Sequence, residues 1–298
     1  SLFRACKKDD QTYEQTRLFR PALNTNGLIA DSNVITVNLA NIREAASYTI
    51  EISRDSFKVV DYTVTVDTNY IVLNEALLGE GLLYNTLYQL RATANAANPE
   101  YNSKAADLGA IRTPPFPSVL KAPASFHVTD TKAKVTWEVS GSAVTGVKVF
   151  GADDLRLKTP LKEFDVPGAG QSAGEFIVTG LTPNTSYQIA IYSGATLRGW
   201  IDYKTLVAGV DVNDPKVIDL SESEDPTAVV AALATVPDGG IILLKKGFRY
   251  NMPTAAFNKS VTFKGAYGFE ANKAALVNTS GNMSISAGAN IARIVFDD

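Results

Sequence analysis

The sequence predicts an all-β chain: two β-sandwiches followed by the N-terminal cap helix and first rungs of a right-handed parallel β-helix. Three observations predict it. Short segments alternate apolar and polar residues at a period of two, which marks strands with one buried face. A lone Trp137, in Val135-Thr136-Trp137-Glu138-Val139, precedes the phrase Gly180-Leu181-Thr182-Pro183-Asn184-Thr185-Ser186-Tyr187-Gln188-Ile189. In a sandwich such a tryptophan fills the space between the sheets, and such a tyrosine starts a late strand and ties its hydroxyl back to the preceding corner. After Val210, short strands punctuated by glycine recur at intervals of roughly 20 residues, the repeat expected of stacked rungs.

Residues 1–16 read as a tether, with Cys6 followed at once by Lys7-Lys8-Asp9-Asp10. Residues 17–115 carry alternating segments at Val34–Leu39, Tyr48–Ile52, Tyr62–Val66 and Tyr88–Thr93. Within them Leu82-Leu83-Tyr84-Asn85-Thr86-Leu87-Tyr88 repeats the spacing of Leu181 to Tyr187, so a first copy of the sandwich is expected, without a core tryptophan. Arg112-Thr113-Pro114-Pro115-Phe116-Pro117 favours extended, semi-rigid backbone and marks a linker.

The second sandwich is expected over residues 116–207, with strands near Ser125–Val128, Lys134–Val139, Val147–Phe150, Glu175–Val178, Tyr187–Tyr192 and Gly199–Thr205. Residues 208–298 change in texture. Lys216–Leu220 reads as a strand and Asp225–Ala234 as the one clear helix, because proline just inside an Asp cap suits a helix start and Val229, Val230, Leu233 and Ala234 make one apolar face. Strand passages follow at Asp238–Gly247, Ser260–Gly265, Ala275–Val277 and Ile291–Phe296.

These residues carry three resemblances. The tryptophan and tyrosine phrases resemble the fibronectin type III domain, usually a spacer or binding module. The passage Asp238 to Tyr250 and the rung Lys259-Ser260-Val261-Thr262-Phe263-Lys264-Gly265 are similar to the amino-terminal cap and first coils of pectate-lyase-like β-helix proteins. The start, with a small residue directly before Cys6 and charge directly after it, resembles the processed end of surface lipoproteins of Bacteroidetes, although Arg4 departs from that pattern. This resemblance implies lipidation at Cys6 and an outer-membrane lipid anchor. Since such helices need several rungs and a terminal cap, the sequence is expected to be a piece of a longer chain at both ends.

Composition narrows the chemistry. Lys+Arg number 28 against Asp+Glu 31, a net charge of −3, and no basic cluster is interleaved with aromatics, so nucleic acid is not expected as a partner. No apolar run reaches the ~18 residues a membrane helix needs. One cysteine and one histidine, His127, leave no disulfide framework, no Cys/His zinc site and no catalytic pair that does not use His127 itself. His127, between Phe126 and Val128, reads as a strand residue; Asp153-Asp154 and the group Glu222, Glu224 and Asp225 read as solvated loop charge; Arg293 with Asp297-Asp298 reads as a rung-end turn. No residue is assigned a catalytic or metal role, and calcium, the cofactor of lyases of this fold, is expected only in rungs beyond residue 298. For stacking on sugars the candidates are Trp200, which follows Arg198-Gly199 near a loop tip, then Tyr203, Tyr192 and Tyr101.

The function these readings imply is a non-catalytic, lipid-anchored surface protein that binds polysaccharide in a glycan-utilisation system, as a monomer, with affinity concentrated in the β-helix groove. The competing expectations are a polysaccharide lyase or glycoside hydrolase whose catalytic rungs lie beyond residue 298, and a structural or adhesive spacer.

Overall fold

Alternation becomes sheet in the computed structural model, which describes residues 16–277 and 283–297. The chain divides into two units between Phe116 and Pro117. The first unit contains β1 (Leu23–Asp31), β2 (Val34–Leu39), β3 (Ser47–Ser53), β4 (Tyr62–Val66), β5 (Tyr70–Leu73), the single-turn helix α1 (Glu75–Leu78), β6 (Leu87–Asn95) and β7 (Ala106–Arg112). Its strands form two antiparallel sheets, ordered β1-β2-β5 and β4-β3-β6-β7. The apolar positions of the alternation, Ile35, Val37 and Leu39 of β2 with Ile50 and Ile52 of β3 and Leu90 of β6, are fully buried between the sheets. Each such side chain contributes about 1.5–3 kcal/mol over its exposed state. This is a fibronectin type III-like sandwich.

The second unit opens with the same arrangement: β8 (Ala133–Thr136), β9 (Gly146–Gly151), β10 (Lys162–Asp165), the helix α2 (Gly168–Ala173), β11 (Glu175–Val178), β12 (Ser186–Ser193) and β13 (Thr196–Lys204). The sheets are β11-β8 and β10-β9-β12-β13, with the bridge Leu120↔Trp137 standing where the first sandwich has β1. Trp137 is buried in the core with Val135, Val149, Val178 and Ile189. The fibronectin type III-like sandwich therefore occurs twice in tandem.

The rest of the second unit pairs in parallel. It comprises β14 (Val217–Leu220), α3 (Ala228–Thr235), β15 (Gly240–Leu244), β16 (Arg249–Asn251), β17 (Val261–Gly265), β18 (Ala275–Val277) and β19 (Ile294–Asp297). One parallel sheet is ordered β14-β15-β17-β19, and a second joins β16 to β18. The row Ile218↔Ile242↔Phe263↔Phe296 runs across the first sheet, with the Phe263 and Phe296 rings stacked at 5.2 Å. Val229, Leu233 and Val236 of α3 and its end pack into the same core as Ile242, Leu244, Tyr250 and Phe263.

Three details depart from the sequence expectations. Ser125–Val128 is not a strand: Ser125–His127 makes a 3-10 turn, held by the His127 N–H donating to the Ala124 carbonyl at 2.9 Å and the Ala124 N–H donating to His127 Nδ1 at 3.3 Å. The expected helix at Asp225 starts only at Ala228, because the Asp225 carboxylate accepts the Thr227 N–H at 2.8 Å and hydroxyl at 2.7 Å and so curls the chain into a turn that contains Pro226. The short helices α1 and α2 were not expected, being too short to show a helical period.

Candidate functional site

The parallel sheet presents an outer row as well as an inner one. Asp219, Leu243, Lys264 and Asp297 stand side by side in register on the face turned away from the core. Lys264 Nζ reaches Asp297 Oδ2 at 2.6 Å. Leu243 in that row is only 5% exposed, so something covers the face. The cover is the segment after β13 together with the turn before β8, and between them and the sheet lies a cleft of about 720 Å³ lined by Asp130, Lys132, Asp219, Glu222, Lys264 and Tyr267, among others.

Local chemistry holds the rim in place. Thr129 Oγ1 accepts the N–H groups of Thr131 at 3.3 Å and Lys132 at 2.9 Å, and the Thr129 N–H donates to the Lys132 carbonyl at 2.9 Å, which closes the turn that displays Asp130 and Lys132. Asp130 Oδ2 accepts the Gly209 N–H at 2.9 Å and pins the covering segment. Asp219 Oδ1 accepts the Ser221 N–H at 2.8 Å. Tyr267 leaves 40% of its surface open beside Gly209. Carboxylates, ammonium groups, threonine and serine hydroxyls and one open aromatic ring suit a ligand rich in hydroxyl groups.

The candidates read from the sequence fall elsewhere. Trp200, half-buried, lies on the outer face of β13 opposite Ala190, and Tyr192 shares that face, with Lys148 Nζ 5.3 Å from its ring centre. Burial foremost, with Asp154 and Glu163 nearby, pushes the Tyr192 hydroxyl above the usual tyrosine value. Tyr203 is turned inward: it is 2% exposed, its hydroxyl donates to the Lys134 carbonyl at 3.3 Å, and burial raises its pKa. With no ring face open to solvent it offers no stacking surface, because residues three apart on a strand point to opposite faces. Tyr101 belongs to the first unit, where it ends the 3-10 turn Pro99–Tyr101 and its carbonyl accepts the Leu18 N–H at 2.8 Å. Cys6 and Asp298 lie outside the described residues.

Asp154, Glu224 and Asp225 are engaged within the fold. Asp154 accepts the N–H groups of Lys158 at 3.0 Å and Thr159 at 2.8 Å, and these and neighbouring bonds outweigh burial and hold its carboxyl below the usual range. Glu224 pairs with Lys245 at 2.6 Å, which lowers the carboxyl and raises the ammonium. His127 is held below the ordinary imidazole value by burial, reinforced by Lys134. Among the described residues no set of three His, Cys, Asp or Glu side chains is placed to hold a metal ion, and no helix is long and apolar enough to cross a membrane. Asp130, Lys132 and Tyr267 were missed by sequence reasoning. They come from separate segments, and no local motif marks any of them.

No family model matches the chain, and no curated protein matches it. Among solved structures it is similar to the first three fibronectin domains of chicken CNTN1, with 16% identity over 63% of this chain and 66% of that one and a TM-score of 0.25. A two-domain fibronectin type III segment of chicken tenascin matches with 18% identity over 62% of this chain and 99% of that one, TM-score 0.25. A β-1,2-glucanase from Parabacteroides distasonis matches with 18% identity over 33% of this chain and 13% of that one, TM-score 0.26. The chain spans just under two thirds of the CNTN1 segment's length. At these TM-scores the likenesses carry no argument; the strand orders themselves establish the fold.

Proposed function

We propose that this chain is a non-catalytic polysaccharide-binding protein of a bacterial cell surface. In this reading Cys6 carries the lipid anchor to an outer membrane of the Bacteroidetes type, the tandem sandwiches hold the last domain away from that membrane, and residues 208–298 are the N-terminal part of a pectate-lyase-like, right-handed parallel β-helix. The parallel register of β14, β15, β17 and β19 behind the capping helix α3 supports the last point.

The observation that carries the proposal is the cleft around Tyr267. Its size falls within the range of small-ligand sites, and it combines one open ring with charged and hydroxyl groups from three segments. Sugars are recognised by that combination, the ring taking the apolar face of a pyranose while polar side chains exchange hydrogen bonds with its hydroxyls.

The test is affinity electrophoresis of the 298-residue chain in gels containing neutral hemicelluloses or polyuronates, with Tyr267→Ala, Lys132→Ala and Trp200→Ala alongside. Retardation by at least one polysaccharide is expected, weakened about tenfold in Tyr267→Ala, the loss of one ring contact worth roughly 1–1.5 kcal/mol. Trp200→Ala should migrate like the parent. No retardation in any gel, or equal retardation of Tyr267→Ala, would sink the proposal.

A further inference from the structure

The cleft around Tyr267 carries more acid than base. Asp130, Asp219 and Glu222 line it against Lys132 and Lys264. Lys264 is already matched, since its ammonium meets Asp297 Oδ2 at 2.6 Å. The register puts that pair at the far end of the row from Asp219: β17 lies two strands from β14, roughly 10 Å away at the usual strand spacing, and Asp297 lies one strand further out. Leu243, which stands between Asp219 and Lys264, brings no charge.

The three carboxylates have no cation of their own. Among the described residues no ion pair engages Asp130, Asp219 or Glu222, and Lys245, next after β15, is held by Glu224 at 2.6 Å. Asp219 gives Oδ1 to the Ser221 N–H at 2.8 Å; Asp130 gives Oδ2 to the Gly209 N–H at 2.9 Å and makes a long contact of 3.5 Å from Oδ1 to the Thr131 hydroxyl. Each carboxylate oxygen accepts more than one hydrogen bond, so all three groups keep capacity for a ligand. Asp219 and Glu222 are exposed, as is Lys132 on its turn. Three acceptor-only groups therefore face a single uncommitted ammonium.

We infer that the cleft selects an uncharged polysaccharide and excludes polyuronates, with Asp219 and Glu222 setting the choice; the inference rests on the cleft being the glycan site. Sugar hydroxyls donate to ionised carboxylates in short, charge-assisted hydrogen bonds. A polyuronate carries a carboxylate on each sugar and would bring like charges together where only Lys132 can compensate. Juxtaposed like charges are a means by which binding surfaces reject wrong partners. The repulsion has a signature in salt: the screening length shortens from ~10 Å at 0.1 M to ~3 Å at 1 M, so added salt should strengthen polyuronate binding and leave neutral binding as it is.

The test is titration calorimetry of the full chain with cellohexaose, xylohexaose, mannohexaose and hexagalacturonate. At least one neutral hexasaccharide should bind ~10-fold or more tighter than hexagalacturonate, and should itself be weakened about tenfold in Tyr267→Ala. The double variant Asp219→Asn with Glu222→Gln should bind hexagalacturonate ~10-fold or more tighter than the parent does, and so should Glu222→Lys. A gain of affinity is not the result of a damaged fold, and the amide in Asp219→Asn still accepts the Ser221 N–H. Hexagalacturonate binding to the parent as tightly as the best neutral hexasaccharide would overturn the inference; if Tyr267→Ala weakens that binding, the cleft remains the glycan site. Hexagalacturonate affinity unchanged in the double variant would overturn it as well. No heat with any hexasaccharide, or equal neutral affinity in the parent and Tyr267→Ala, would remove the cleft as the glycan site and this inference with it.

Discussion

Two tyrosines and two threonines make the same clasp twice. Tyr88 Oη accepts the Leu83 N–H at 2.9 Å, and Tyr187 Oη accepts the Thr182 N–H at 3.0 Å. Beside each, a threonine at the end of the last strand closes the corner. Thr113 Oγ1 donates to the Leu83 carbonyl at 2.7 Å and accepts the Thr86 N–H at 3.0 Å; Thr205 Oγ1 donates to the Thr182 carbonyl at 2.6 Å and accepts the Thr185 N–H at 2.8 Å. Asn85 and Asn184 turn the corner with left-handed backbones, at φ 47° and 48°, which asparagine tolerates better than most residues. Thr205 is buried, so Thr205→Val keeps the shape but strands a donor and an acceptor, at about 1–3 kcal/mol. Both tryptophans of the chain lie in the second sandwich, so urea unfolding followed by their fluorescence should show a lower midpoint for Thr205→Val and an unchanged one for Thr113→Val. An unchanged midpoint for Thr205→Val would mean that the clasp contributes nothing.

At the scale of elements, the parallel region is organised by the turn Pro237-Asp238-Gly239-Gly240. The Gly240 N–H donates to the Pro237 carbonyl at 3.0 Å, Asp238 Oδ1 accepts the Ser260 N–H at 2.7 Å, and Ser260 Oγ accepts the Ala292 N–H at 3.0 Å, so the segments that lead into β15, β17 and β19 are tied one to the next. Lys259 Nζ donates to the Val236 carbonyl at 2.8 Å, and so neutralises the negative end of α3. A Cβ on Gly240 would meet the Lys216 carbonyl at 2.6 Å and Val236 Cγ2 at 2.7 Å, neither of which has room to retreat. Gly240→Ala should cost this region about 1–3 kcal/mol by overpacking. Hydrogen exchange of the Ile242 and Phe263 amides should quicken ~5-fold or more, while protection in β12 stays as it was; unchanged protection at Ile242 would contradict the assignment.

At the scale of the whole molecule, the units have separate cores. The first is built around Ile35, Ile50 and Leu90, and the second unit holds one cluster around Trp137 and another around Phe263. The proline-rich stretch between the units is anchored at its start: the Pro114 carbonyl accepts the Asn85 N–H at 3.0 Å, and Phe116 meets the Tyr84 ring edge-on at 5.1 Å. Separate cores predict separate unfolding. Ile50→Ala, which empties a fully buried position, should destabilise the first unit by about 2–5 kcal/mol. The tryptophan-monitored transition should not move, although circular dichroism registers an earlier loss of sheet. Displacement of both transitions together would show one cooperative structure instead.

What the sequence determined by itself is what neighbouring residues decide together. Alternation assigned the faces of β2, β3 and β12, and the tyrosine phrases announced corners whose bonds span five residues. Alternation also implied that Trp200 and Tyr203 point to opposite sides of β13, without saying which faces solvent. Only the tertiary structure decided that, through the pairing of β13 with β12 over a core that receives Tyr203. It also assembled the Tyr267 cleft from the turn at 129–132, the segment at 207–212 and the outer row of the parallel sheet. The physical reason is the same in both: local order follows from sterics and hydrogen bonds within a few residues, whereas a binding surface depends on register between strands far apart in the chain, where one residue of slip turns every side chain to the other face.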